Sequence, residues 1–312
     1  MNSTLIQMTL LMACGVGWRL LQPAGLSAEH TRTVLTSVVY YLLLPAMVAN
    51  VLWTADIGVK SLQYTLLGIC CVSSSMLCLW LIGKILKFDH ARLGAILLAV
   101  FPNTTYLGLP VLEKAYGSWT RSVIIQMDLF SVAPFLFTVG LMVVRRYGTE
   151  ANNPQKSALS YLNAPPFWAA ATAVVLNLNA IPCPDWLAGL LQKLAAGVVP
   201  LMIFSIGLAL NWRSIKFANV PYVLPLVLIK LVLMPVAALF FAGYMTVDDA
   251  HKAAAVLDLS MPSMILGIVF CDRFRLDSGL YAMAVTVTTA LSLVALPFWY
   301  DVIGTVLALH SS

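Results

Sequence analysis

Long apolar runs, separated by short polar connections, follow one another along the chain. A bilayer core about 30 Å thick requires about 20 apolar residues per helix. By this criterion the pattern predicts an all-α membrane protein with ten transmembrane helices, five on each side of one longer polar segment. The ten predicted spans cover residues 4–18, 34–53, 62–83, 93–116, 122–144, 164–181, 187–210, 220–244, 253–270 and 278–309.

The composition excludes a soluble catalytic domain. Of 312 residues, 61% are hydrophobic and 10% are charged, whereas soluble domains are about 45–50% apolar and about 25% charged. There is no HExxH motif and no histidine in the middle of a predicted span, so we predict that the protein is not an enzyme. The six cysteines form no CxxC pair, which predicts packing roles and no metal site. We expect no cofactor and no nucleic-acid partner.

The basic residues predict an orientation in the bilayer. Most of the 18 Lys and Arg residues fall in alternate connections, including the polar segment 145–163. Because cytoplasmic loops carry the excess of basic residues, we expect this linker to be cytoplasmic and both termini to lie outside. The predicted location is the cell (inner or plasma) membrane, with the lipid bilayer as a partner.

The two halves, residues 1–144 and 164–312, are predicted to repeat each other. Three pairs of prolines at similar offsets support this correspondence: Pro45 and Pro200, Pro102 and Pro262, and Pro134 and Pro297. Five helices per half make equivalent helices cross in opposite directions, which is the inverted repeat of secondary transporters.

Prolines within the fourth and ninth predicted spans predict two broken crossover helices. Pro102 and Pro262 each remove a backbone donor at membrane depth, and the short polar side chains of Asn103, Thr104 and Ser263 are candidates to cap the restarted helices. Because helix N-termini attract anions, paired breaks predict a binding site for a small organic anion. The alternative is that both prolines only kink packed helices.

Three charged residues lie well inside predicted spans: Asp128, Lys230 and Asp258. Each costs about 2.5–3.5 kcal/mol near a helix centre, so we expect them to face the protein interior. Asp258 precedes Pro262 by four residues and is expected on the same helix face as the break. Gln126 is a further polar candidate in the fifth span.

Three roles remain open for these charges. Asp258 or Asp128 could bind a coupling proton or cation such as Na⁺, or Lys230 could contact a substrate carboxylate. In the third interpretation Lys230 only neutralises an aspartate.

The fourth span resembles a known transporter signature. The motif Pro102-Asn103-Thr104, followed by Gly108 and Pro110, resembles the fourth helix of the auxin efflux carrier (AEC) family, which includes the plant PIN carriers. The resemblance covers essentially the whole chain. The short linker makes the sequence more similar to microbial members than to the long plant carriers.

The resemblance implies a ten-helix fold similar to the bile-acid sodium symporters. Spans 1, 2, 6 and 7 would form a scaffold, with a homodimer interface, and spans 3–5 and 8–10 a transport domain that moves as an elevator. Pro102, Asn103 and Pro262 would hold an organic anion. The second break departs from the pattern, because it offers Ser260 and Ser263 in place of an amide.

Two other functions remain open at this stage. One is a sodium- or proton-coupled cation antiporter that uses Asp258 and Lys230. The other is a membrane receptor that does not transport.

Overall fold

A computed structural model describes residues 2–55, 57–149, 165–209 and 216–310. Within these residues the chain is helical, with one isolated antiparallel β-bridge. The helices are α1 (Asn2–Leu21), α2 (Ala28–Leu52), α3 (Val59–Ile85), α4 (His90–Leu98), α5 (Leu109–Tyr116), α6 (Thr120–Tyr147), α7 (Pro165–Leu178), α8 (Asp185–Ala196), α9 (Val198–Ala209), α10 (Phe217–Ala242), α11 (Asp249–Leu259), α12 (Gly267–Arg273) and α13 (Ser278–His310).

The prediction of an all-helical membrane protein is confirmed. Among the residues that the structure describes, six helical segments are long and apolar enough to cross a bilayer: α2, α3, α6, α8 with α9, α10 and α13. The apolar parts of α1 and α7 are shorter, and the fourth and ninth predicted spans are each divided into two short helices. The count of ten spans and the inverted repeat stay predictions.

The end of the fifth span differs from the prediction. Helix α6 continues through Tyr147 instead of ending at Val144. Arg145 and Arg146 therefore lie in its last turn, where cations complement the partial negative charge of a helix C-terminus. Residues 150–163 of the predicted linker lie outside the described residues.

Three long helices change from α- to π-helical geometry just before a proline. The π-helical turns are Val39–Leu43 before Pro45, Asp128–Val132 before Pro134, and Ile229–Leu233 before Pro235. Proline lacks the N–H for a helical bond, and its ring crowds the carbonyl one turn earlier. A wider turn relieves this conflict without ending the helix.

Packing divides the chain into two compact units. The first unit comprises the described parts of Met1–Val59, Thr105–Ile125 and Ser160–Leu210. The second unit comprises those of Lys60–Thr104, Gln126–Leu159 and Asn211–Ser312. Each unit therefore combines segments from both halves of the sequence.

Within the first unit, α1 and α9 approach each other closely at two glycines. A Cβ atom on Gly15 would overlap the carbonyl oxygen of Phe204, and one on Gly207 would overlap that of Met12. Small residues at a membrane helix crossing allow this backbone approach. The α1–α9 contact thus depends on the absence of side chains at two positions.

Within the second unit, α4 and α11 begin in the same way. The Asp89 carboxylate accepts a hydrogen bond from the Arg92 N–H, and the Asp248 carboxylate accepts one from the His251 N–H. An aspartate at the N-cap satisfies donors that the first helical turn leaves open. Both helices therefore have a defined start, about ten residues before each break.

We expect Gly15→Ala to destabilise the protein and Gly17→Ala, in the same helix, to leave it stable. The added methyl at position 15 meets fixed backbone, whereas a Cβ at position 17 has nothing within 4 Å. Overpacking of this kind costs about 1–3 kcal/mol. Thermal unfolding in detergent measures the effect, and equal midpoints for the two variants would contradict the proposed close crossing.

Candidate functional site

Helices α4 and α11 both end before the proline that the sequence marks as the break. The last helical residue is Leu98 in α4 and Leu259 in α11, three residues or more ahead of Pro102 and Pro262. Proline also disfavours helical geometry in the residue before it. The expectation that Asp258 and Pro262 share a helix face is therefore wrong, because the helix does not extend to the proline.

The two breaks meet and form one crossover, which we define as residues 101–103 and 262–264. Pro102 and Ser263 form an antiparallel bridge. The Asn103 N–H donates to the Pro262 carbonyl at 2.8 Å, and the Met264 N–H donates to the Phe101 carbonyl at 2.9 Å. These bonds satisfy backbone groups that lipid could not satisfy.

The chain resumes its helix differently after the two breaks. After the first, a π-helical turn at Thr104–Gly108 leads directly into α5. After the second, α12 starts only at Gly267. Ser263 therefore does not lie at the start of a helix, and its predicted capping role is wrong.

Buried polar side chains lie at the crossover. Asn103 is 3% exposed and Ser263 is fully buried. Among the described residues, the Ser263 hydroxyl has no hydrogen-bond partner. In contrast, Ser260 donates to the Val256 carbonyl of its own helix at 2.8 Å. Orphaned buried polar groups are uncommon and require an explanation, such as a ligand.

A threonine hydroxyl connects the first break to Asp128. Thr104 Oγ1 donates to Asp128 Oδ1 over 2.9 Å. Thr104 is buried, whereas Asp128 is half-buried at the start of the π-helical turn in α6. The structure therefore brings one of the three predicted charges to the crossover.

Lys230, in the π-helical turn of α10, contacts the end of α11. Its Nζ donates to the Leu259 carbonyl at 3.3 Å and lies 2.8 Å from Met234 Sδ, and the side chain is fully buried. The last carbonyls of a helix carry partial negative charge. The ammonium group therefore complements the helix terminus that precedes the second break.

Asp258 is fully buried one residue before the end of α11. In the part of the chain that the structure describes, neither carboxylate oxygen has a hydrogen-bond partner. Its charge interacts favourably with Lys230 and unfavourably with Asp128. Asp258 thus interacts with both other intramembrane charges, without a direct Lys230–Asp258 ion pair among the described residues.

Gln126 links two helices of the second unit. Its Oε1 accepts a hydrogen bond of 2.5 Å from Ser61 Oγ in α3, and both side chains are buried. This contact joins α6 to α3. A role for Gln126 in substrate binding stays a prediction.

Sequence reasoning missed Thr288 of α13. Its hydroxyl accepts a hydrogen bond of 3.2 Å from the Ser263 N–H at the crossover. The available signal was the concentration of hydroxyl groups in an apolar span, since Thr286 and Thr289 are buried with it.

Trp299 of α13 is a second residue that sequence reasoning missed. Its Nε1–H donates to the Leu231 carbonyl at 2.7 Å. Pro235, four residues after Leu231, cannot supply the usual helical donor to that carbonyl. The indole therefore stabilises the π-helical turn that contains Lys230.

Broken helices with intramembrane charges around their meeting point are typical of membrane transporters, and comparisons with known proteins agree on that class. A family model described as membrane transport protein matches residues 4–300. The chain therefore belongs to the membrane transport protein family, the auxin efflux carrier family of the sequence resemblance.

Similar proteins occur in archaea and bacteria. An uncharacterized transporter of Methanothermobacter thermautotrophicus is 28% identical over 307 residues, which cover 96% of this chain and 98% of the relative. One of Methanocaldococcus jannaschii is 27% identical, over 88% of this chain and 91% of the relative. The uncharacterized transporter YfdV of Escherichia coli is 26% identical, over 69% and 70% of the two chains.

We expect Trp299→Phe to lower the thermal stability of the protein. Phenylalanine preserves most of the buried aromatic volume but leaves the Leu231 carbonyl without its donor, at a cost of about 1–3 kcal/mol. Trp186→Phe, at a position that is 73% exposed, is the control. A midpoint for Trp299→Phe equal to that of the control would show that the bond does not stabilise the turn.

Proposed function

We propose that the protein is a secondary transporter of a small organic anion, which binds at the crossover and moves by an elevator type of alternating access. The observation that carries the proposal is the meeting of two proline breaks at two buried polar side chains, Asn103 and Ser263, of which the Ser263 hydroxyl has no hydrogen-bond partner among the described residues. In transporters of known architecture, discontinuous helices form the substrate site near the bilayer midplane.

The donors at the crossover favour a carboxylate as the bound group. The Asn103 amide can donate two hydrogen bonds, the Ser263 hydroxyl can donate one, and Lys230 supplies the nearby positive charge. Hydrogen bonds from such donors to a charged oxygen are stronger than those between neutral groups. The class of substrate that we propose is therefore a small mono- or dicarboxylate, with Gln126, Thr104 and the two prolines shaping the site.

The two packing units support a division into a stationary and a moving part. The first unit holds predicted spans 1, 2, 6 and 7 together with residues 105–125, and the second unit holds most of the remaining spans. We assign the transport role to the second unit because it contains the whole crossover and all three intramembrane charges. The first unit is assigned the scaffold role and the homodimer interface.

The charges around the crossover favour cation coupling. Asp128, Asp258 and Lys230 leave one negative charge in excess when all are ionised. Uncompensated charge within the membrane is costly, so one bound proton or Na⁺ would balance the site and reduce the repulsion of an anionic substrate. Asp258 is the proposed acceptor, because neither of its carboxylate oxygens has a hydrogen-bond partner among the described residues.

The same observation favours a second candidate function, a cation antiporter. In that case Asp258 and Lys230 bind the transported ion and no carboxylate moves. A receptor that binds an anion without transport is the third outcome that the experiments distinguish. The cell membrane, with both termini outside the cytoplasm, remains the proposed setting for all three.

We expect Asn103→Ala to reduce carboxylate transport at least about tenfold, because one hydrogen bond to a charged group contributes about 1.5–3 kcal/mol. Uptake of a panel of radiolabelled mono- and dicarboxylates into proteoliposomes is the measurement. The control is Asn179→Ala, since Asn179 is an exposed residue that donates to the Val175 carbonyl of its own helix. Unchanged transport by both Asn103→Ala and Pro102→Ala would show that the crossover is not the site.

We expect Asp258→Asn to abolish the dependence of carboxylate flux on a proton or Na⁺ gradient, since the amide cannot take up the balancing charge. Flux under imposed gradients is compared with that of Asp249→Asn, in the same helix but paired with Lys252 at 3.1 Å. Cation exchange that Asp258→Asn abolishes, without any carboxylate flux, would establish the antiporter instead. Saturable carboxylate binding without flux of either kind would establish the receptor.

A further inference from the structure

The second unit carries an open groove of about 340 Å³ that has no part in the crossover. Helices α3, α4 and α6 line it. The apolar lining includes Leu77, Leu97, Val139 and Met142. Leu77 and Met142 are 56% and 67% exposed, so the groove opens at the protein surface. In a membrane protein, such a surface lies against lipid chains.

One end of the groove is aromatic and basic. Trp80 Nε1–H donates to the Tyr147 hydroxyl at 2.9 Å, and both side chains line the groove. Arg146 also lines it, with its guanidinium carbon 5.9 Å from the centre of the Tyr147 ring. Lys84 Nζ lies 5.8 Å from the centre of the Trp80 ring. Tryptophan and tyrosine mark the interface between membrane and water.

The two basic side chains at this end have no carboxylate partner among the described residues. Lys84 and Arg146 are exposed, and the side chains lining the groove include no carboxylate. Within the described residues neither cation forms an ion pair. The two residues lie in the last turns of α3 and α6, so both helices present their basic ends here.

We infer that this groove binds an anionic phospholipid. An acyl chain fits along the apolar side chains, and the phosphate lies between Arg146 and Lys84 at the level of the Trp80–Tyr147 pair. A zwitterionic lipid would offer the same chain and a phosphate, but the positive ammonium group of its headgroup would oppose the two cations. The match of an apolar channel with a basic, aromatic end therefore selects for net negative charge in the headgroup.

The predicted orientation of the protein in the membrane agrees with an anionic phospholipid in the groove. The connections next to Lys84 and Arg146 belong to the set that the excess of basic residues assigns to the cytoplasm. The cytoplasmic leaflet carries anionic lipids, and each Lys or Arg near its surface contributes to their attraction. The binding itself does not depend on the proposed transport function, because it rests on the groove and its charges alone.

Native mass spectrometry of the detergent-purified protein tests the inference. We expect phosphatidylglycerol to bind at least about fivefold more tightly than phosphatidylcholine with the same acyl chains. Arg146→Gln and Lys84→Gln are each expected to weaken phosphatidylglycerol binding about fivefold, with little effect on phosphatidylcholine. The matched control is Lys193→Gln, since Lys193 is an exposed lysine in α8.

A second pair of variants tests the apolar part of the groove. Val139→Trp fills the channel and is expected to reduce the binding of both lipids. Where its thermal unfolding shows that Val139→Trp has misfolded, Met142→Glu places a charge at an exposed groove position and is expected to have the same effect on binding. Equal affinity for the two lipids, losses equal to that of Lys193→Gln, or undiminished binding in the groove variants would overturn the inference.

Discussion

Every backbone polar group inside a bilayer must find its partner within the protein, and the prolines of this chain repeatedly remove such partners. The structure meets this constraint in three ways. In the long helices, a wider π-helical turn comes before Pro45, Pro134 and Pro235. An indole replaces the donor that Pro235 lacks. At the two breaks, the freed segments bond to each other and form the crossover.

The same constraint determines where the charges lie. Asp128 and Lys230 both occur in π-helical turns, and Asp258 occurs in the last turn before a break. Turns of π-helix are frequently found at functional sites. Charged side chains are expensive in a membrane, but free carbonyls and hydroxyls at an interrupted helix offer them interactions that a regular helix does not. The chemistry of this protein is therefore concentrated where its helices are least regular.

The sequence was sufficient for the helical membrane architecture, the family and the two breaks, because apolar length and proline position act locally. It also identified the residues that meet at the crossover, although the repeat that suggested their pairing stays a prediction. The sequence was not sufficient where the end of a helix or the contact of a side chain depends on residues far away in the chain. Because α11 ends at Leu259, Asp258 and Pro262 do not share a helix face as expected. Because α12 starts only at Gly267, Ser263 does not cap a helix. Contacts from α13, such as those of Thr288 and Trp299, join residues far apart in the chain and have no periodic signature.

The bond between Lys230 and the Leu259 carbonyl gives the end of α11 a counter-ion that is covalently part of the chain. A dissolved ion occupies such a place only in proportion to its concentration, whereas a tethered amino group is present in every molecule at a fixed stoichiometry. Its full burial also shields it from the mobile ions that screen surface charges. The hydrogen-bond donor at the end of α11 is therefore present whatever the ionic composition on either side of the membrane, which suits a protein that separates two solutions of different composition.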